Sequence, residues 1–130
     1  MGDEGINDVV RKFILEHIAS VAQLEILLLL QTNPSQTWTP AAIARELRIE
    51  PAGAQVQLTA LVASGLVTLD PPEKYQFAPH SPELKDAAVA LAQAYLVRRV
   101  TVIGLIFSKP SDKIRAFSDA FRLRKDPPRA

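Results

Sequence analysis

Two proline-bearing helix starts, Thr39-Pro40 and Glu50-Pro51, stand close together in the chain, and they constrain its fold more than any other feature. Threonine is a good N-cap, and proline in the first helical turn lacks only an N–H that would go unused there. After the first start, Ile43, Ala44 and Leu47 fall on one face of a short helix. After the second, a helix runs to Ser64, where Gly65 fits a C-terminal cap. Leu66-Val67-Thr68-Leu69 then reads as a short strand, Asp70-Pro71-Pro72-Glu73-Lys74 as a turn, and Tyr75-Gln76-Phe77 as the returning strand. Two short helices and a hairpin within about forty residues describe a winged helix-turn-helix, assigned to residues 37–80.

The same segment carries a resemblance. Ile43-Ala44-Arg45-Glu46-Leu47, then Leu58, Leu61, Gly65-Leu66-Val67 and Tyr75, resemble the core of bacterial winged-helix transcription regulators of the multiple-antibiotic-resistance and arsenic-repressor types. The resemblance covers Trp38 to Pro79. It implies a regulator that binds DNA, with the second short helix in the major groove.

The flanks read as helices. In residues 1–36, Ile6, Val9, Val10, Phe13, Ile14 and Ile18 recur at helical spacing. Ser20 and Gln23 form a capping box before a run apolar on all sides, Leu24 to Leu30, which Asn33-Pro34-Ser35 ends. Residues 81–109 open with Ser81-Pro82-Glu83 and meet no breaker before Lys109-Pro110. The spacing predicts one long helix of about 27 residues, ~40 Å in length. The alternative is a strand over Val100–Phe107, which is rich in β-branched residues.

That long helix has two apolar seams. One comprises Leu84, Ala88, Leu91, Tyr95, Val102 and Leu105, interrupted by Arg98. The other comprises Val89, Leu96, Val100, Ile103 and Phe107, interrupted by Gln93. One seam is used by the chain's own helices, and the other needs a partner, most simply a second copy. Residues 110–130 read as a basic amphipathic helix capped by Ser111-Asp112, then a frayed end. The fold class is therefore mainly α with a small β-wing: a winged helix-turn-helix with N-terminal helices and a long C-terminal dimerisation helix.

Composition removes several function classes. The chain has 130 residues, 48% of them hydrophobic, enough for one domain with a real core. It has no cysteine, and its two histidines, His17 and His80, are far apart, so no metal site is expected. No nucleophile triad, glycine-rich phosphate loop or dense carboxylate pair suggests an enzyme or a cofactor. The N-terminus lacks the pattern of a signal peptide, and the apolar stretch Ala87–Phe107 carries Arg98 and Arg99 at its middle, too costly for a membrane span. A cytoplasmic protein is expected. His17 and Trp38 read as packed side chains, and His80 as a linker residue. Arg98 and Arg99 are expected to meet carboxylates, with Glu83 and Asp86 nearby in sequence.

Charge is distributed unevenly. Residues 1–36 carry a net of −3, residues 37–80 a net of −1, and residues 81–130 a net of +5. The second motif helix holds no Lys or Arg. Its outward residues are Ala52, Gly53, Gln55, Val56 and Thr59. Gln55 fits an adenine edge, and Val56 and Thr59 fit a thymine methyl. Arg45, Arg48 and Lys74 are the cations at hand for phosphate, against Glu46, Glu50, Asp70 and Glu73. Because phosphate neutralisation supplies most non-specific affinity, the intrinsic grip on DNA is expected to be weak. Two functional classes follow. One is a dimeric DNA-binding regulator. The other is a protein-interaction module that uses the neutral helix and docks an acidic partner on the basic C-terminal helix.

Overall fold

Capping side chains set the element boundaries in a computed structural model, which describes residues 7–108. Helix α1 is Asp8–His17, and the Asn7 side chain accepts from the Val10 N–H at 2.9 Å. Helix α2 is Val21–Thr32, with the Ser20 hydroxyl accepting from the Gln23 N–H at 3.1 Å. The chain bends by 112° between them. Gln23, only 1% exposed, holds that corner. Its carbonyl oxygen accepts from the Ala19 N–H and its amide donates to the His17 carbonyl, each at 2.8 Å. A buried amide satisfied on both sides stabilises one geometry, whereas an unpaired one would be costly.

Helix α2 is buried nearly all round: Leu24, Ile26, Leu27 and Leu30 are fully covered. It packs on helix α4 (Pro51–Ala63) and on strand β2 (Lys74–Phe77). Helix α3 is Pro40–Leu47, started by Thr39, whose hydroxyl accepts from the Ala42 N–H at 3.1 Å. It ends at Arg48 in the left-handed region, φ 59° and ψ 50°. Helix α4 ends at Ser64, and Gly65 follows with φ +80°. That backbone suits glycine, and a Cβ there would come within 3.2 Å of the His80 ring. His80 in turn donates its N–H to the Gly65 carbonyl at 2.8 Å, so the linker histidine closes the end of α4.

Strand β1 (Val67–Asp70) pairs antiparallel with β2 in the register Val67↔Phe77, Thr68↔Gln76, Leu69↔Tyr75 and Asp70↔Lys74. Trp38 adds one more rung on the other side of β2. Its N–H donates to the Tyr75 carbonyl at 2.8 Å, and the Tyr75 N–H donates back at 2.7 Å. The hairpin is thereby tied to the residue that leads into α3.

Helix α5 is Pro82–Val97, capped by Ser81, and α6 is Arg99–Ser108. This corrects the single long helix expected over residues 81–109. The chain breaks at Arg98, φ −126° and ψ 51°, and bends by 116°. The break contains no Pro or Gly, so its cause is tertiary. Helix α5 packs on α1 through Ala87, Ala88 and Leu91, and the bend brings Val102 and Ile106 back against the same core, 0% and 3% exposed. A straight continuation would carry both away from α1 and into water, at roughly 1.5–3 kcal/mol for each side chain. Val100–Phe107 is helical, so the strand alternative does not hold.

The first seam is the one that packs: Ala88, Leu91 and Val102 are buried, and Leu84, Tyr95 and Leu105 are partly so. No helix among the described residues is long and apolar enough to cross a membrane. The basic helix expected within residues 110–130 and the first apolar residue, Ile6, lie outside the described residues.

Candidate nucleic-acid interface

Helix α4 divides cleanly into two faces. Ala54, Leu58 and Leu61 are fully buried, and Val62 is partly buried. Ala52, Gly53, Gln55, Val56 and Thr59 are all exposed, Val56 to 63%. Their spacing places them in one stripe along the helix. Helix α3 packs on α4, and strand β1 of the hairpin packs on α4 as well. A short helix, a turn, a second helix with an open face and an adjoining hairpin stand together. The motif is a winged helix-turn-helix.

The stripe is small and uncharged, and its polar groups are partly engaged. The Gln55 amide donates from Nε2 to the Tyr75 hydroxyl at 2.8 Å. The Thr59 hydroxyl donates to the Gln55 carbonyl at 2.9 Å, which leaves its methyl and an oxygen lone pair facing outward. At Gly53 a built Cβ meets nothing within 4 Å. The fold therefore has no steric need for glycine there, although glycine weakens a helix by about 0.5–1 kcal/mol.

The candidate phosphate ligands lie at the end of α3 and on the hairpin. Arg45 is exposed in the last turn of α3, and Arg48 is exposed at its left-handed end. Lys74 is exposed at the start of β2, directly opposite Asp70 in the hairpin register. Glu46, Glu50 and Glu73 are exposed in the same neighbourhood. The interface as folded is close to neutral.

The C-terminal candidates are divided between α5 and α6 by the bend at Arg98. Val89 is 39% exposed, Leu96 84%, Val100 83% and Phe107 75%, while Ile103 is partly buried. Val97, absent from the expected seam, is 76% exposed beside them. Arg99 lies with its guanidinium 5.1 Å from the centre of the Tyr95 ring, a cation–π contact. Sequence reading expects a carboxylate for that arginine and has no signal for the ring. His17 packs its ring 5.1 Å from Phe13 and lies 3.8 Å from Glu16, and Trp38 is buried; both fit the packed roles expected of them. Among the described residues no three His, Asp or Glu are grouped as a metal site.

Tyr75, which the sequence places in the hairpin and in the resemblance, also meets α4 through its hydroxyl. Its signal is its chemistry, because a buried tyrosine needs a partner for its hydroxyl. Which residue supplies that partner depends on the fold bringing Gln55 of α4 up to the Tyr75 hydroxyl.

No protein-family model matches the chain, and no curated protein matches it. Solved structures do resemble it. ZitR of Lactococcus lactis is 21% identical, over 81% of this chain and 71% of that one, with a TM-score of 0.47. The MarR-family protein Rv2887 of Mycobacterium tuberculosis is 16% identical, over 88% and 83%, with a TM-score of 0.48. The reduced form of MarR from E. coli is 17% identical, over 98% and 89%, with a TM-score of 0.49. The winged helix itself stands on the order and packing of α3, α4 and the hairpin.

Proposed function

We propose that this chain is a cytoplasmic, dimeric winged-helix DNA-binding transcription regulator with a weak intrinsic grip on phosphate. The observation that carries this reading is the open face of α4. A rigid core holds one side of the helix, and Gln55, Val56 and Thr59 project from the other, beside a hairpin, each of them exposed. Such a helix fits a major groove, and these residue types meet adenine and thymine edges there. Arg45, Arg48 and Lys74, all exposed, are the proposed phosphate ligands.

Dimer formation is supported by the exposed aliphatic surface at the α5–α6 corner. Val89, Leu96, Val100, Ile103 and Phe107 are the proposed contacts. A two-fold partner would cover them and double the number of phosphate-binding cations on one duplex.

A salt series tests the reading. Duplex binding is expected to be measurable near ~50 mM salt and to weaken steeply as salt rises. Arg45→Ala combined with Arg48→Gly should lower the log–log slope by about 0.9 for each phosphate that is no longer neutralised. Glycine is chosen at position 48 because the backbone there is left-handed. Failure of the wild type to bind any duplex at low salt overturns the proposal.

A further inference from the structure

We infer that Tyr75 is a specificity-determining positioning residue, which holds the Gln55 amide ready to read an adenine at the centre of the interface. This inference rests on the DNA-binding reading above. Gln55 is exposed on a helix surface, where a glutamine side chain normally samples many rotamers. Here its Nε2 is tied to the Tyr75 hydroxyl at 2.8 Å. Tyr75 is a fixed anchor: the residue is 3% exposed, and its backbone is paired with Leu69 on one side and with Trp38 on the other.

The hydrogen-bond inventory gives the anchor its meaning. A primary amide has two N–H donors and one carbonyl acceptor. The phenol takes one donor, and one donor and the acceptor remain. One donor with one acceptor is the complement of adenine in the major groove, which offers N7 as an acceptor and the N6 amine as a donor. A guanine edge offers two acceptors and lacks the donor that the Gln55 carbonyl requires. A glutamine already restrained loses less freedom on binding than a mobile one, so the anchor favours the matching base.

The Gln55–Tyr75 bond is also a link between the two parts of the motif. Tyr75 belongs to the wing, and its backbone partner Trp38 leads directly into α3. The phenol oxygen thus joins the reading side chain directly to the hairpin.

Selection from a random duplex library, followed by affinity measurement on the selected site and on an unrelated duplex, tests the assignment. Wild type, Tyr75→Phe, Gln55→Ala and the double variant are compared, with thermal unfolding as the check on folding. Tyr75→Phe keeps the buried ring and removes only the oxygen. It should lose an adenine preference at one position, weakening the selected site by roughly fivefold or more. Affinity for the unrelated duplex and the salt slope should stay unchanged. Gln55→Ala should lose the preference at the same position, and the double variant should be no worse than Gln55→Ala alone. A purely structural tyrosine would instead lower both affinities together, along with the melting temperature, and that result overturns the inference. So does a Tyr75→Phe protein as selective as wild type, or additive losses in the double variant. A wild type that binds no duplex overturns the DNA reading and this inference with it, whereas a selective wild type with an equally selective Tyr75→Phe removes only the role of Tyr75.

Discussion

Among the described residues, two open helical surfaces differ in kind. The outer face of α4 carries small neutral groups: a glycine, an alanine, one valine, a threonine bonded to the Gln55 carbonyl and a glutamine anchored to the wing. The outer face of the α5–α6 corner carries Leu96, Val97, Val100 and Phe107, each at least three-quarters exposed. Aliphatic area in water is unfavourable by about 25 cal/mol per Å², so the second face gains by burial against almost any complementary apolar surface. The first face gains little from burial alone, and must draw its affinity from shape and hydrogen-bond matching. Low apolar area with anchored polar groups suits the reading of a polar edge. High apolar area, even with Arg98 and Arg99 exposed at the corner, suits permanent association.

The sharpest way to break this comparison is inside α4 itself, where Val56 and Leu58 are near neighbours on opposite faces. Leu58→Ala should lower stability by about 3 kcal/mol, in the usual range for a fully buried leucine, whereas Val56→Ala should stay within about 0.5 kcal/mol of wild type. Denaturant melts followed by far-UV circular dichroism would show both. Equal effects would mean that α4 does not have the open face described.

The second surface is tested by charge. Leu96→Glu with Val100→Glu should raise the dimer dissociation constant roughly 100-fold by removing two apolar side chains and burying acids. Light scattering and sedimentation across a concentration series would read this. The melting temperature of the isolated chain should hardly move, since neither side chain contributes to its core. A wild type that is monomeric at tens of micromolar removes the contrast altogether.

Gly65 and Gly53 sharpen the comparison at smaller scale. Gly65→Ala should destabilise the fold by about 1–2 kcal/mol, because an alanine in the left-handed region is strained and its Cβ crowds His80. Gly53→Ala should do the opposite, adding about 0.5–1 kcal/mol of stability through helix propensity. Its cost is expected in function: duplex affinity should fall as the methyl group holds the groove away from α4. A Gly53→Ala protein that is both more stable and equally tight in binding would show that α4 needs no close approach there.

Much of this was legible without coordinates. Ser20, Thr39 and Ser81 each announce a helix, and each hydroxyl accepts from the N–H three residues on. The inner and outer residues of α4 follow from helical spacing and agree with the observed burial. The composition of the candidate interface was therefore legible, down to the lack of cations on α4. The anchoring of Gln55 and the stacking of Arg99 on Tyr95 were not, because each depends on what lies opposite a side chain.

The two helix starts at Thr39-Pro40 and Glu50-Pro51, with Gly65 and the turn at Asp70–Lys74, determined the winged helix on their own. Caps, prolines and turn residues act within a few positions of themselves, so their meaning survives without a tertiary context. Tertiary structure alone decided the bend at Arg98 and the bond from Gln55 to Tyr75. Periodicity reveals that the C-terminal segment has two apolar seams, but which seam packs on α1 is settled by competition for buried area. That competition folds Val102 and Ile106 inward and leaves Leu96, Val100 and Phe107 on the outside.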